Sequence, residues 1–204
     1  MKFKNISKKL ESEDIYNVLI KNFSKLNADW VYHQWNWLHQ NYSAFNDLIK
    51  YFITIALVRD TLKFYKDIGH TYNFNEYYSY PEFQIEKFSI SNLAKEFRLP
   101  KETMRRKIIE LEKLNIIRKK GKKVYFDRTA FDLVKPTKQI KITSKYLSKI
   151  SEILFKEKKL DSKISDEKII DIVEKNFSTI WLWFYEFQIP LMINWKDYFE
   201  DINT

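Results

Sequence analysis

The chain has 204 residues, enough for one or two domains with hydrophobic cores, and it carries 36 Lys and Arg against 27 Asp and Glu, a net charge of +9. It has no cysteine, which excludes disulfides and thiolate chemistry, and we recognise no signal peptide, so we expect a protein of the reducing cytoplasm. Two glycines and four prolines leave little for hairpin-rich β structure or Gly-rich phosphate loops, so a mainly α-helical fold is predicted.

Charge is distributed unevenly along the chain. Residues 1–85 carry a net charge of +1, residues 86–150 carry 19 basic and 7 acidic side chains, a net charge of +12, and residues 151–204 carry −4. Five of the six arginines lie between Arg98 and Arg128. Because arginine makes bidentate contacts with phosphate and guanine, this clustering favours a polyanion-binding site, and a solvated charged face is the alternative.

The first predicted domain, residues 1–85, is an N-terminal helical segment. Ser12-Glu13-Asp14 is expected to cap the start of a helix, and apolar residues recur every three or four positions over 45–67, which is typical of a long helix that ends near Gly69. Residues 70–88 are rich in aromatic side chains but show no period, so we expect a long connection there.

The second predicted domain, residues 86–135, contains the most informative motif. A short helix capped by Ser91 is expected, and the sequence Arg98-Leu99-Pro100 then predicts a turn because proline disfavours helix in the residue before it. A second helix over 101–114 places Met104, Ile108 and Leu111 on one buried stripe and its cationic residues outward.

A basic hairpin is predicted directly after this helix. Asn115 suits the left-handed position that ends a helix, and residues 116–126 have the pattern of two short strands with Gly121 at the turn and lysines on both sides of it.

The order of helix, turn, cationic helix and basic hairpin resembles the winged helix-turn-helix domains of bacterial transcription regulators. The resemblance rests on Ser91 through Leu99, on Glu102-Thr103-Met104-Arg105-Arg106 and on Leu111 to Ile117, and it covers about 40 of the 204 residues. It implies that helix 101–114 enters the major groove of double-stranded DNA and that the hairpin, the wing, contacts the backbone. Ile109 departs from the usual pattern, because the outward position it occupies is often charged.

The residues expected to contact DNA share exposed positions on this motif. They are Ser91, Lys101, Glu102, Thr103, Arg105, Arg106, Ile109, Arg118, Lys119, Lys120, Lys122 and Lys123. The arginines suit guanine or phosphate, the wing lysines suit phosphate, and Ile109 suits a thymine methyl group or a partner chain.

The third predicted domain, residues 136–204, is a C-terminal helical segment expected to pack with the first. Helices are predicted over about 144–155 and from 165 onward, with Pro190 breaking or kinking the second one. Residues 176–195 contain a single charged side chain, but their polar residues make a membrane segment costly.

A weak internal echo links the two flanking segments. Residues 15–50 and 169–204 share 8 identities in 36 aligned pairs, including Lys-Asn-Phe-Ser at both 21–24 and 175–178. Coincidence in a biased composition accounts for this echo, and a true repeat is the alternative.

The remaining patterns do not indicate catalysis. No Gly-rich phosphate loop, nucleophile elbow or zinc-protease motif is present, and the three histidines do not have the spacing of metal ligands, so neither an enzyme nor a cofactor is predicted. The many aromatic residues favour core and dimer packing, with a small-molecule effector pocket as the alternative.

The expected function is that of a cytoplasmic, nucleoid-associated transcription regulator that binds double-stranded DNA as a homodimer. The alternatives are a winged-helix module for protein assembly and a replication or partition protein that binds DNA.

Overall fold

The computed structural model describes residues 11–86, 88–121, 123–127 and 135–202. These residues form nine α-helices and three β-strands, which confirms the predicted mainly helical class. The elements are α1 (Ser12–Lys21), α2 (Phe23–Phe45), α3 (Leu48–Asp67), α4 (Phe74–Ser79), β1 (Glu82–Ile85), α5 (Ile90–Glu96), α6 (Lys101–Lys113), β2 (Ile117–Lys120), β3 (Lys123–Asp127), α7 (Thr137–Lys156), α8 (Asp166–Lys175) and α9 (Phe177–Ile202).

The elements group into two compact units. Unit 1 is formed by the described residues up to Gln40 together with Pro136–Val173, and unit 2 by the described residues of Asn41–Lys135 and from Glu174 onward. This grouping differs from the three segments expected from the sequence, because unit 2 combines the basic motif with helices from both flanks.

Unit 1 is built around the packing of α1 against α7. Val18 and Leu26 form a buried cluster with Ile153 and Leu154, and Tyr146 covers its edge. On α7 the cluster residues Tyr146, Ile150, Ile153 and Leu154 recur at spacings of three and four, so this helix buries one face while its charged face stays in water.

Unit 2 is centred on α3. Its residues Tyr51 to Val58 are all buried, because the helix is covered by α9, α6 and β1. Asp47 caps α3 by accepting a hydrogen bond from the Lys50 backbone N–H, and the chain leaves it through Gly69 at φ +83°. The predicted helix over 45–67 is therefore confirmed with a start three residues later.

The three strands form one antiparallel sheet in the order β1-β3-β2. β2 and β3 are the predicted hairpin, but β1 and α4 lie inside the segment predicted to be a connection, so that prediction is wrong. Phe83 and Ile85 alternate with polar residues in β1, which is the strand period, but four residues are too few to establish it without the pairing to β3.

The last helix, α9, continues through Pro190, so the expected break is absent. Proline in a helix interior removes one backbone hydrogen bond and costs about 3 kcal/mol. Here Gln188, Ile189 and Met192 are buried on either side of the exposed Pro190, and this packing offsets the cost.

The internal echo coincides with matching helix boundaries. α1 and α8 each have ten residues, Asn22 and Asn176 follow them, and α2 and α9 begin at Phe23 and Phe177, again 154 residues apart.

Candidate nucleic-acid interface

The first helix of the basic motif begins earlier than its sequence indicated. Ser89 caps α5, because its side chain accepts a hydrogen bond from the Asn92 backbone N–H at 3.2 Å. The predicted cap, Ser91, is an exposed residue within the first turn of the helix, so that assignment is wrong. A cap residue must lie just outside the helix for its oxygen to reach the free N–H groups.

The turn between α5 and α6 is tight and its backbone is bonded. Arg98 adopts φ +51°, and the Leu99 N–H donates to the Ala94 carbonyl at 3.0 Å, which closes the end of α5. Pro100 stands at the N-cap position of α6, so the turn predicted from this proline is confirmed. The Arg98 side chain pairs with Asp197 of α9 within unit 2, so this member of the arginine cluster is exposed but already has an intramolecular partner.

Helix α6 has one buried and one charged face, as predicted. Met104, Ile108 and Leu111 are completely buried, while Lys101, Glu102, Arg105 and Arg106 are exposed. Burial of the apolar stripe fixes the rotation of the helix, so the charged residues at its N-terminal end are held outward.

Ion pairs hold α6 and α5 against α3. Lys107 Nζ lies 2.5 Å from the Asp47 carboxylate and 3.1 Å from that of Glu110, with the Lys107 side chain only 14% exposed. Arg59 of α3 pairs with Glu96 of α5. These partly buried charges position the motif rather than face solvent.

The hairpin carries its charges on a short two-stranded tip. Lys120 of β2 lies opposite Lys123 of β3 in the strand register, and Gly121 adopts φ +64° at the turn. Asn115 adopts the predicted left-handed conformation, φ +55°, between α6 and the hairpin. The predicted site residue Lys122 lies outside the described residues.

Most described cations of the hairpin have an acidic partner in unit 2. Arg118 pairs with Asp127, Lys119 with Glu112 at 2.5 Å, and Lys120 with Glu82 at 2.7 Å. The Lys120 ammonium also lies 4.7 Å from the centre of the Tyr125 ring. The hairpin is thus partly neutralised by carboxylates that the sequence could not assign, since Glu82 lies 38 residues from Lys120.

On α6, Arg105 is engaged by Glu102 in a bidentate pair. Arg105 Nε and Nη2 donate to the two carboxylate oxygens at 2.9 and 2.6 Å. The hydrogen bond to Arg105 lowers the pKa of Glu102, and Glu102 raises the pKa of Arg105, so both groups are charged at neutral pH.

Three of the predicted cations have no ion pair among the described residues: Lys101, Arg106 and Lys123. All three are exposed. An exposed ion pair contributes little to stability, so Arg105 can exchange Glu102 for phosphate at low cost, whereas Arg118 is paired with the buried Asp127 and cannot leave it without a penalty. The remaining predicted site residues on α6, Thr103 and Ile109, are half-buried.

The described residues contain no cluster of three or more potential metal ligands, and no helix among them has both the length and the apolar character needed to cross a membrane. Comparisons with models of known protein families, with curated proteins and with solved structures find no match for this chain.

Proposed function

We propose that this protein is a transcription regulator whose unit 2 binds double-stranded DNA as a winged helix-turn-helix. In this proposal the N-terminal end of α6 enters the major groove, and the β2–β3 hairpin contacts the phosphate backbone.

The observation that carries the proposal is the exposed charged end of α6. Lys101, Arg105 and Arg106 project from a helix whose opposite face is fully buried, and a hairpin with exposed lysines at its tip follows within a few residues. A rigid helix with cations at its N-terminal end can place them against base edges, because the buried face leaves it no freedom to rotate.

The order of elements also supports the proposal. α5, the turn Arg98–Pro100, α6 and the hairpin follow one another as the resemblance to winged helix-turn-helix domains requires. β1 adds a third strand beside β3 and packs on α3, so the hairpin is anchored to the helical part of unit 2.

The proposed regulator acts as a homodimer, since helix-turn-helix domains commonly bind two half-sites related by two-fold symmetry. Exposed apolar side chains on α2 support this part of the proposal: Val31, Tyr32 and Trp35 are 57%, 65% and 67% exposed.

The decisive experiment selects bound duplexes from a random library with the purified protein and then measures variants by gel shift. Arg106→Ala should reduce the affinity ratio between selected and scrambled duplexes by roughly 5- to 150-fold, because one bidentate base contact contributes about 1–3 kcal/mol. Lys123→Ala should weaken binding to both duplexes equally and lower the salt slope by about 1.

Lys63→Ala is the matched control, since Lys63 is exposed on α3 outside the motif. Equal losses for Arg106→Ala and Lys123→Ala would contradict the assigned roles. Binding that barely responds to salt, or an absence of duplex binding, would instead favour a winged-helix module for protein assembly.

A further inference from the structure

The basic segment contributes a second charged surface, which lies in unit 1. Lys138, Lys141, Lys145 and Lys149 follow one another at spacings of three and four on α7. At 100° per residue they fall within an arc of about 80°, so they form one stripe along the helix. All four are exposed. We call these four residues the α7 lysine stripe.

The opposite face of α7 is occupied by packing within unit 1. Ile140 and Leu154 are buried to 2% and 6% exposure, and Ser144 is completely buried. A basic amphipathic helix binds a lipid surface by burying its apolar face among the acyl chains. Because that face of α7 is already covered, the stripe can act on a partner only through its charges.

Three lysines of the stripe lack an ion pair among the described residues. Lys149 pairs with Asp29, but Lys138, Lys141 and Lys145 have no such carboxylate partner. Like charges at spacings of three and four destabilise a helix slightly. Repulsion within the stripe therefore lowers the folding stability slightly, and a bound polyanion would relieve it by neutralising the lysines.

The dimensions of the stripe fit a duplex. From Lys138 to Lys149 the helix rises about 16 Å, and a DNA strand carries one phosphate per 3.4 Å of axis, so about five phosphates of one strand lie within reach. Lysine ammonium groups attract phosphate without the geometry needed to distinguish bases.

We propose that the α7 lysine stripe is a second DNA-backbone contact, independent of sequence, in addition to the contacts of α6 and the hairpin. This inference rests on the proposed function, because it takes duplex DNA as the partner of unit 2. It assigns to unit 1 a share of the affinity and none of the specificity.

The test uses the full chain with K138Q, K141Q and K145Q combined. Affinity is measured by fluorescence anisotropy between low and moderate salt on the selected duplex and on a scrambled one. Removing about three phosphate contacts should lower the slope of log affinity against log salt by about 2 to 3, with an equal loss on both duplexes. Unchanged circular dichroism and melting temperature verify the fold.

The matched control combines K158Q, K163Q and K168Q. These exposed lysines of unit 1 remove the same total charge but do not form a stripe, since only Lys168 lies within a helix. The control should change the salt slope clearly less than the stripe variant. Equal slopes for the two triple variants would overturn the inference, because net charge alone would then explain the effect.

The remaining outcomes separate this inference from the proposed function. If the wild-type protein binds its selected duplex and the stripe variant binds with an unchanged slope, the inference alone fails. If Arg106→Ala leaves sequence preference intact while the stripe variant loses slope, the assignment of α6 fails and the stripe stands. Binding to phosphatidylserine vesicles that depends on the stripe, with no effect on DNA, would overturn it in favour of a membrane surface.

Discussion

Two neighbouring arginines of α6 have different electrostatic surroundings. Arg105 is held by both carboxylate oxygens of Glu102, whereas Arg106 has no ion pair among the described residues. A guanidinium engaged in a bidentate pair must release its partner before it can bind a guanine edge. Arg106 is therefore the first candidate for base contact, and Glu102 weakens the attraction of this surface for phosphate.

Glu102→Gln tests this view of α6. Removing the carboxylate frees Arg105 and deletes a negative charge, so affinity for all duplexes should rise several-fold and the ratio of specific to scrambled binding should fall. Gel shifts at fixed salt measure both quantities. Glu186→Gln, at an exposed position on α9, is the control, and an unchanged affinity for scrambled DNA would show that Glu102 does not face the duplex.

In unit 1, His33 is a buried residue whose ring is neutral at pH 7. It is 2% exposed, stacks on Trp30 with ring centres 5.6 Å apart, and its Nε2 lies 3.0 Å from Thr143 Oγ1. Burial disfavours the charged ring and lowers the pKa of His33 to about 4.

This burial predicts a pH dependence of stability. In the unfolded chain His33 takes up a proton near pH 6.5 and in the folded chain only near 4, so the unfolded state binds more protons in between. The stability that depends on His33 is complete above about 6.5 and is lost as the pH falls towards 4, by up to about 1.4 kcal/mol per pH unit.

Urea unfolding between pH 7 and 4.5 measures this loss. His33→Gln should remove most of the dependence over that range, because Asp14 and Asp47, whose pKa values are lowered, lose most of their contributions only as the pH falls below their ordinary value of 3.8. A slope that is the same in both proteins would exclude His33 as its source.

At the scale of elements, local pattern was sufficient for α6 and insufficient for β1. The stripe of Met104, Ile108 and Leu111 identifies α6 because an apolar residue recurs at each turn of the helix. β1 has only four residues and exists because β3 pairs with it, with Phe83 opposite Phe126. A strand depends on a distant partner for its backbone hydrogen bonds, so a short one leaves little trace in its own sequence.

Lys107→Ala tests whether the Lys107–Asp47 ion pair holds α6 against α3. Lys107 is not among the residues proposed to contact DNA, because its ammonium group is paired with the Asp47 carboxylate. This pair lowers the pKa of Asp47. Removing Lys107 leaves the partly buried Asp47 carboxylate with its hydrogen bond from the Lys50 N–H but without its ion-pair partner, and the free energy of unfolding should fall by about 2 kcal/mol.

Chemical denaturation of the variant gives this value. Lys113→Ala, on the same helix but exposed and without an ion pair among the described residues, should change stability by less than about 0.5 kcal/mol. Similar losses for the two variants would mean that the Lys107–Asp47 pair does not hold α6.

At the scale of the whole molecule, the proposed homodimer predicts a role for the exposed aromatic residues of α2. Trp35→Gln should raise the dimer dissociation constant by at least tenfold, because a tryptophan at the centre of an interface commonly contributes 2 kcal/mol or more. Sedimentation equilibrium measures this constant. Phe155→Gln, which alters an exposed aromatic residue of α7, is the control, and equal behaviour of both variants would place the dimer contact elsewhere.

The distribution of charge also belongs to this scale. The +12 segment looks continuous in the sequence, yet its lysines beyond residue 136 lie on α7 in unit 1, while the α6 and hairpin cations lie in unit 2. Much of the hairpin charge meets carboxylates from β1 and α6. Net charge along a sequence therefore indicated a polyanion partner without identifying which cations remain exposed and unpaired.

The sequence by itself determined the features that depend on near neighbours: the helical class, the buried stripe of α6, and the turns at Pro100, Asn115 and Gly121. The helical period and the residue preferences of turns act over a few residues, so they can be recognised in the sequence without knowledge of the fold. Only the tertiary structure decided the cap at Ser89, strand β1, the continuation of α9 through Pro190, the ion pairs of the hairpin and the division of the lysines between two units. Each of these depends on which distant groups meet, and that is decided by packing rather than by local sequence.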